Sequence, residues 1–433
     1  MSTISVIGTG YLGATHAAAM AEMGHRVIGI DTDADKVAIL NRGEVPFFEP
    51  GLPELLSTHV ASGLLTFTTD FAEAAAADIH FLCVGTPQKS GSDAADLSQV
   101  FGSFQSLLPH LKSGSLIVGK STVPVGTCAK LADVAEAEAG ATVAWNPEFL
   151  REGFAVEDTL RPDRIVVGVR NPGDGDRLRE LYAPQIEYGA PFLVTDYPTA
   201  ELVKVSANAF LATKISYINA IADVCATVGA DVTALAKAIG YDERIGPKFL
   251  RAGIGFGGGC LPKDIRAFMA RADELGVGRS LAFLHEVDAI NMRRRQSVTQ
   301  MAAEMLAGSL LGVRIAVLGV AFKPDSDDIR DSPALNIAAN LHLQGAAVQV
   351  FDPKAMANAA RAFPTLSYAQ DLDSALKDAD LVMLLTEWPE FRELDPESTG
   401  AIVAQRRILD GRNVLDSAAW RAAGWEYRGI GIP

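Results

Sequence analysis

The chain has 433 residues, of which 48% are hydrophobic and 21% are charged, and its formal net charge is −15 at pH 7. This length and composition are typical of a folded protein with two or three hydrophobic cores, and an acidic chain without a long run of Lys or Arg is a poor match for a nucleic-acid surface. The four cysteines show no CxxC spacing and the seven histidines form no close ligand pair, so the sequence indicates neither a disulfide framework nor a metal site.

The first residues run directly into a strand-like segment, Ile4–Gly8, without the basic and apolar regions of a leader. No continuous apolar run reaches the roughly 18 residues that a membrane span needs. We therefore expect a cytoplasmic protein without a membrane segment.

The same segment begins a predicted βαβ unit. Ile4–Gly8 is followed by the glycine turn GTGYLG, by an alanine-rich helix that ends near Gly24, and by a second strand, Arg26–Asp31. An acidic residue at the end of the second strand can accept hydrogen bonds from both ribose hydroxyls and repel a 2′-phosphate. The pattern favours NAD over NADP, and the alternative is a glycine turn that only packs a helix on a strand. The predicted cofactor residues here are Gly8, Gly10, Gly13 and Asp31.

Two further apolar runs end in polar loops. Ile79–Val84 leads to Gly85–Pro87, and Leu116–Gly119 leads to Lys120–Pro124. Open α/β sheets bind ligands at the carboxyl ends of their parallel strands. Thr86 and Thr122 are therefore candidates for cofactor contact, unless they serve ordinary strand-end turns.

The segment Asn146–Gly153 contains two carboxylates. Asn146 can cap a short helix that has Pro147 at its first position, which would place Glu148 and Glu152 on one face. Such a pair is tolerated if one carboxylate accepts protons or if a cation such as Lys204 meets it. A solvated acidic helix end is the alternative.

A long helix is predicted from Glu201 to about Val228. Lys204 and Asn208 lie four residues apart, so they share one face of an otherwise apolar helix. A buried amine is costly unless an anionic or polar group meets it. The alternative is a lysine that extends its amine to solvent beside a satisfied asparagine.

The glycine loop Gly255–Asp264 presents a thiol where a further helix is predicted to begin. Pro262 suits the first turn of that helix, so Cys260 would lie at or beside its N-cap, where the helix dipole favours thiolate. Lys263 adds positive charge, and Asp264 would hold a water or a substrate hydroxyl near the sulfur. The alternative is a buried structural cysteine.

A second strand and turn begin at Arg314–Lys323, and further strands are predicted at Ala347–Asp352, Leu381–Thr386 and Ile408–Arg412. The fold class is therefore α/β, with two Rossmann-type doubly wound domains joined by a long central helix. The second turn lacks the later glycines of a dinucleotide site, so we expect it to hold another ligand. We divide the chain into an NAD-binding Rossmann domain (1–200), a central helical region that contains Cys260 (201–300) and a second Rossmann-like domain (301–433).

An NAD site, a thiol, an amine and carboxylates together suit a four-electron oxidation. An enzyme that stops at the carbonyl needs no thiol, whereas a thiohemiacetal can lose hydride to give a thioester that water hydrolyses. The predicted reaction converts a primary alcohol to a carboxylate with two NAD. A single-step dehydrogenase of the 3-hydroxyacid type would leave Cys260 unexplained, and an NAD-sensing protein would not need Lys204, Cys260 and Asp264.

The motifs GTGYLG, KSTVPVGT, NPEFLREG, ELVK and GFGGGCLPKD, in this order, resemble those of the nucleotide-sugar 6-dehydrogenases over nearly the whole chain. The run from NPEFLREG to Arg161–Gly168 is most similar to the bacterial UDP-glucose enzymes. Gly259 and Leu261 replace the more usual Ser and Phe, and Leu261 also resembles the GDP-mannose branch. The resemblance implies UDP-glucose as substrate, with GDP-mannose or UDP-N-acetylmannosamine as alternatives.

The resemblance also implies that residues 201–300 form a dimerisation region with the catalytic cysteine and that residues 301–433 bind the UDP-sugar. It further implies roles for individual residues. Cys260 would be the nucleophile, Lys204, Asn208 and a water held by Asp264 would act at the sugar hydroxyl, and Glu152 with Thr122 would assist hydrolysis. A homodimer built on the long helix would let Arg244 reach the substrate of the partner subunit. The other implied substrate residues are Glu148, Phe149, Leu150, Phe256, Gly257, Lys323 and Arg412, and the implied cofactor residues include Lys36, Thr86, Thr122, Glu152, Lys263 and Arg330.

Overall fold

The computed structural model describes residues 2–433, which pack as two compact units. The N-terminal unit extends to Ala207 and takes in Arg266–Gly278, and the C-terminal unit comprises Asn208–Ile265 and Arg279–Pro433. The domain boundaries predicted at residues 200 and 300 separate segments by their expected roles, and they stay predictions.

The strands of the described chain lie in two sheets. Those of the N-terminal unit are β1 Thr3–Ile7, β2 Arg26–Ile30, β3 Leu65–Thr68, β4 Ile79–Leu82, β5 Leu116–Gly119, β6 Thr142–Trp145, β7 Ile165–Val169 and β8 Phe192–Thr195. Those of the C-terminal unit are β9 Arg314–Leu318, β10 Ala347–Phe351, β11 Ser367–Tyr368, β12 Leu381–Leu384, β13 Arg407–Asp410 and β14 Glu426–Gly429.

The α-helices complete both units. The first nine are α1 Tyr11–Glu22, α2 Ala34–Leu40, α3 Leu52–Ser62, α4 Ser98–Leu107, α5 Thr127–Ala139, α6 Ala155–Leu160, α7 Pro172–Leu181, α8 Ala183–Glu187 and α9 Tyr197–Val228. They are followed by α10 Val232–Gly240, α11 Leu261–Glu274, α12 Phe283–Met305, α13 Pro333–Leu343, α14 Met356–Ala362, α15 Leu372–Leu376, α16 Pro389–Arg392, α17 Pro396–Gly400 and α18 Ser417–Ala422.

Both sheets have the strand order of a doubly wound fold. The N-terminal sheet runs β3-β2-β1-β4-β5-β6-β7-β8, and the C-terminal sheet runs β11-β10-β9-β12-β13-β14 with its strands parallel. In the N-terminal sheet β7 runs antiparallel to β6, and β8 runs parallel to β7. These last two strands therefore run in the direction opposite to β6. The predicted α/β class with two Rossmann-type domains is confirmed.

The sheets form where apolar residues run without interruption. Every residue of β4, β5 and β12 is buried, as expected for central parallel strands that are covered by helices on both faces. In each unit the chain changes direction across the sheet at the first strand, so the loops after β1 and β4, and after β9 and β12, lie at a topological switch point. These loops contain the glycine turn and Thr86 in the N-terminal unit.

The long helix α9 begins at Tyr197, earlier than predicted, and ends at Val228 as predicted. It passes from the N-terminal unit into the C-terminal unit after Ala207. This helix is long and apolar enough to cross a membrane, although the sequence contains no continuous apolar run of that length. Core helices of soluble proteins meet the same criterion of length and composition.

The second turn is longer than the sequence suggested. Residues 319–332 separate β9 from α13, whereas only residues 8–10 separate β1 from α1. Asp352 at the end of β10 accepts hydrogen bonds from the backbone N–H groups of Val320 and Ala321, at 2.7 Å and 2.9 Å. A carboxylate at the end of the second strand thus binds the backbone amides at the start of this turn, as Asp31 binds Thr9 in the first unit.

Candidate active site

The glycine turn after β1 has the geometry of a dinucleotide site. Gly8 has φ +84°, and a Cβ at Gly13 would lie 1.8 Å from the carbonyl oxygen of Gly8. Only glycine allows α1 to begin this close to the strand, and the backbone N–H groups at its start can then face a pyrophosphate.

Asp31 lies directly after β2, beside this turn. Its Oδ2 accepts hydrogen bonds from the backbone N–H of Thr9 at 2.8 Å and from Lys36 Nζ at 3.0 Å, and its Oδ1 accepts from the N–H of Asp33 at 3.1 Å. Burial alone would raise the pKa of Asp31, but the hydrogen bonds from Lys36 and the backbone outweigh it and lower the pKa. The carboxylate therefore stays ionised, and these residues fit an NAD whose ribose hydroxyls bind Asp31.

Thr86 and Thr122 follow neighbouring parallel strands, β4 and β5, as predicted. Thr86 is buried and Thr122 is partly exposed. The hydroxyl of Ser121 donates to the carbonyl oxygen of Val84 at 2.7 Å and so joins the two loops. The structure places both threonines at the edge of the sheet that carries the glycine turn.

The predicted helix at Asn146–Gly153 is wrong. Residues 146–150 are irregular, and α6 begins only at Ala155. The Asn146 side chain does not cap a helix, because its Oδ1 accepts hydrogen bonds from Lys120 Nζ at 2.9 Å and from the Tyr182 hydroxyl at 2.7 Å. Its Nδ2 also donates to the carbonyl oxygen of Val166 at 2.8 Å.

Glu148 and Glu152 are consequently not neighbours on a helix face. Glu148 pairs with Lys204 at 3.0 Å, and its Oε2 accepts a hydrogen bond from the backbone N–H of Leu150 at 2.8 Å. The Lys204 amine also lies 5.7 Å from the centre of the Phe149 ring. Lys204 is 5% exposed, so the buried amine meets an anion, as expected.

Sequence reasoning missed two buried groups in the N-terminal unit. Burial lowers the pKa of Lys120 to about 8 against the raising effects of Cys83 and Glu148. Glu201, one helical turn before Lys204, accepts hydrogen bonds from the backbone N–H groups of Gly126 and Cys128, each at 2.7 Å. Both lie within motifs quoted above, KSTVPVGT and ELVK, but nothing local indicated what they would contact.

In the C-terminal unit Cys260 directly precedes α11, as predicted. Its side chain is exposed, and its carbonyl oxygen accepts a hydrogen bond from the backbone N–H of Asp264 at 2.9 Å, which closes the first helical turn. The thiol therefore lies at a helix N-terminus, where unpaired N–H groups favour thiolate.

Asp264 is buried in that first turn and joins two predicted site residues. Its Oδ2 accepts a hydrogen bond from Asn208 Nδ2 at 2.7 Å, and its Oδ1 accepts from Lys263 Nζ at 2.6 Å. This carboxylate is thus oriented by an amide from α9 and by a cation beside it in the chain. Such fixed orientation suits a group that holds a water or a hydroxyl.

The glycine loop packs closely against residues 322–331. The N–H of Gly258 donates to the carbonyl oxygen of Arg330 at 2.8 Å, and a Cβ at Gly257 would lie 2.3 Å from the carbonyl oxygen of Asp331. A Cβ at Gly259 would lie 2.3 Å from the Arg330 guanidinium carbon. A side chain at position 259 would therefore require the Arg330 guanidinium group to move.

The other predicted substrate residues of the C-terminal unit differ in their surroundings. Arg412 donates to the carbonyl oxygen of Leu385 at 2.7 Å and also contacts that of Gly255 at 3.4 Å. Phe256 is held by the Asn291 amide, and Lys323 is partly exposed. The side chain of Arg244 is 85% exposed and pairs with Asp242.

The predicted site residues therefore fall into two sets, one in each unit. The N-terminal set contains the cofactor turn with Lys36, Thr86, Thr122, Glu148, Phe149, Leu150, Glu152 and Lys204. The C-terminal set contains Asn208, Arg244, Phe256, Gly257, Cys260, Lys263, Asp264, Lys323, Arg330 and Arg412.

Three segments of the chain match the three domains of one known enzyme family. Residues 2–186 match the NAD binding domain of the UDP-glucose/GDP-mannose dehydrogenase family, residues 198–293 its central domain and residues 316–417 its UDP binding domain. The chain belongs to this family. As a UDP-glucose/GDP-mannose dehydrogenase family member it is an NAD-dependent oxidoreductase, and the predicted cofactor is confirmed.

Individual relatives match from end to end. UDP-glucose 6-dehydrogenase of Rhizobium meliloti is 40% identical over 99% of each chain. UDP-glucose 6-dehydrogenase TuaD of Bacillus subtilis is 41% identical over 100% of this chain and 94% of its own. The structure of a UDP-glucose dehydrogenase from Pyrobaculum islandicum superposes with a TM-score of 0.92 at 37% identity, covering 100% of this chain and 98% of that one.

Proposed function

We propose that the protein oxidises UDP-glucose to UDP-glucuronate in two steps through a covalent bond to Cys260. The observation that carries the proposal is the exposed thiol at the start of α11, next to the buried and oriented carboxylate of Asp264. The similarity to UDP-glucose 6-dehydrogenases over the whole chain supports the choice of sugar. The product would supply polysaccharide biosynthesis.

In the first oxidation the sugar C6 hydroxyl loses its proton to a water held by Asp264, and the Lys204 amine with Asn208 stabilises the developing alkoxide. NAD, which the glycine turn and Asp31 would hold, would supply the hydride acceptor for both oxidations. Burial next to Glu148 keeps the Lys204 ammonium in one place before the substrate binds.

In the second oxidation the Cys260 thiolate adds to C6 of the aldehyde and forms a C–S bond. Loss of hydride from this thiohemiacetal leaves a thioester. Water then adds to the thioester carbonyl, the C–S bond breaks and the thiolate is restored, with Glu152 and Thr122 assisting. In total one alcohol, one water and two NAD⁺ give one carboxylate, two NADH and three protons.

The nucleotide-sugar residues retain the roles that the resemblance implied. We propose that Glu148, Phe149 and Leu150 contact the sugar from the N-terminal unit, whereas Phe256, Gly257, Lys323 and Arg412 serve the nucleotide sugar from the C-terminal unit. The cofactor would be held by the glycine turn, Asp31, Lys36, Thr86, Thr122, Glu152, Lys263 and Arg330. The UDP binding domain match over residues 316–417 supports a uridine nucleotide.

The test is NADH release from UDP-glucose, UDP-N-acetylmannosamine and GDP-mannose, with NADH formed per sugar consumed measured for each. We expect UDP-glucose to give the highest kcat/KM and two NADH per sugar. A ratio of one would exclude the thioester route and favour a single-step dehydrogenase. A higher kcat/KM with either of the other sugars would move the substrate assignment to that sugar.

We also propose a homodimer. Phe210, Tyr217, Val224 and Val228 recur along α9 at spacings of seven or four residues, so they share one face of the helix, and each is more than half exposed. An exposed apolar stripe of this kind marks a protein interface. The exposed Arg244 would then contact the substrate of the partner subunit. NAD and sugar nucleotides are cytoplasmic metabolites, and we propose that location for the enzyme.

A Phe210→Asp variant is expected to sediment as a monomer, because a carboxylate would be buried without a partner in the apolar interface. Leu343→Asp is the matched control, since Leu343 is also an exposed apolar residue on a helix but lies on α13. Analytical ultracentrifugation of both variants provides the measurement. A Phe210→Asp variant that sediments as the wild type does would exclude this face as the interface.

A further inference from the structure

Glu49 is a buried carboxylate to which the predicted reaction assigns no role. It lies between α2 and α3, is 2% exposed and belongs to the N-terminal unit. Its Oε2 accepts a hydrogen bond from the backbone N–H of Gly153 at 2.6 Å, and its Oε1 accepts from the N–H of Ala155 at 2.7 Å. The Tyr11 hydroxyl donates to the same carboxylate. Three donors from two distant parts of the sequence therefore meet one side chain.

These contacts fix the chain next to Glu152. Gly153 follows Glu152 directly and has φ +78°. On the other side, the backbone N–H of Arg151 donates to Asp158 Oδ2 at 2.8 Å, and the Arg151 guanidinium binds the same carboxylate. The backbone on both sides of Glu152 is thus held by carboxylates.

The contact with Tyr11 connects this segment to the cofactor turn. Tyr11 is the first residue of α1, directly after Gly10, and its hydroxyl also accepts a hydrogen bond from the N–H of Gly153 at 3.0 Å. Burial, followed by the nearby Glu49 and Glu152 carboxylates, raises the pKa of Tyr11, so the hydroxyl stays protonated and remains a donor.

We propose that Glu49 is a positioning residue that holds Glu152 in register with the glycine turn and thereby sets the rate of thioester hydrolysis. The inference rests on the proposed function, since that function assigns Glu152 to hydrolysis. Glutamine at position 49 has one acceptor oxygen and one NH₂ group, so at least one of the two backbone N–H groups would face a donor. The segment would then leave its position while the bulk of the site stays unchanged.

The experiment compares full-length wild type with Glu49→Gln at saturating NAD and UDP-glucose. We expect kcat to fall by about 10-fold to 100-fold, as for a catalytic group misplaced by about 1 Å. Acid quenching followed by intact-protein mass spectrometry should show more acyl adduct on Cys260 than in wild type, because hydrolysis and not hydride loss is slowed. The KM for UDP-glucose should change little.

Asp174→Asn is the matched control. Asp174 is also buried in the N-terminal unit and accepts a hydrogen bond from the Thr142 hydroxyl at 2.8 Å, but Thr142 is at the amino end of β6, away from the edge with the glycine turn. This variant should match wild type in both kcat and acyl adduct.

Tyr11→Phe provides a second variant should Glu49→Gln fail to fold, as judged by circular dichroism. It removes one donor and keeps both backbone contacts, so a smaller fall in kcat with a smaller rise in acyl adduct is expected. If Glu49→Gln folds and its acyl adduct equals that of wild type, the inference is overturned. If Glu49→Gln does not fold, an unchanged adduct in Tyr11→Phe overturns it instead. In either case the proposed function stands as long as wild type forms two NADH per sugar. A wild type that forms no NADH with any of the three sugars overturns the proposed function and this inference together.

Discussion

A Cys260→Ser variant is expected to lose turnover by roughly 10³-fold or more, as enzymes do when the covalent nucleophile is removed. The helix N-terminus at Leu261 can stabilise a thiolate, but a serine hydroxyl remains protonated near neutral pH and is a far weaker nucleophile. The second oxidation should therefore stall. The measurement is steady-state NADH formation with UDP-glucose, together with the NADH formed per sugar in the first minutes of reaction.

Cys225→Ser is the control for this variant. Cys225 lies in the same unit but is buried in the hydrophobic core, near the C-terminal end of α9. Its replacement should lower stability without changing the two NADH formed per sugar. If Cys260→Ser completes the reaction at the wild-type rate, Cys260 is not the nucleophile.

A Lys204→Met variant is expected to lower kcat by about 10²-fold to 10³-fold, the usual cost of removing one group that stabilises an oxyanion. The amine is 5% exposed and pairs with Glu148 at 3.0 Å, so its loss also leaves a carboxylate largely buried without its cation. Breaking such a pair should destabilise the protein by roughly 3 kcal/mol.

The double variant Lys204→Met/Glu148→Gln separates these two effects. Removing the carboxylate charge should recover much of the thermal stability but none of the lost kcat. Lys214→Met, on the same helix, is the control, because the Lys214 amine donates to the carbonyl oxygen of Ile245 at 2.9 Å and not to a predicted site residue. A kcat within threefold of wild type for Lys204→Met would contradict a catalytic role for this amine.

Local sequence was sufficient for the features that depend on neighbouring residues. The glycine turn with Asp31, the central apolar strands and the position of Cys260 before α11 all follow from glycine geometry, strand periodicity or helix-start rules. Each of these rules acts over a few residues, so each can be applied without knowing the rest of the fold. The long helix was also predictable, with a start four residues too late.

The predicted helix at Asn146 shows where local reasoning stops. Asn-Pro is a good helix start, and nothing nearby contradicts it. In the structure Asn146 instead binds Lys120 and Tyr182, which lie 26 and 36 residues away in the chain. A buried amine and a buried hydroxyl need an acceptor, and that requirement outweighs a local capping preference.

The sequence by itself determined the two α/β domains, the NAD turn and the residue types that the chemistry needs. Only the tertiary structure decided which partners those residues have: Glu148 for Lys204, Asn208 and Lys263 for Asp264, and Glu49 for the segment next to Glu152. The physical reason is that a helix or a glycine turn is specified by contacts between near neighbours. A buried charge is instead satisfied by whichever donor or acceptor the fold brings to it from a distant part of the chain.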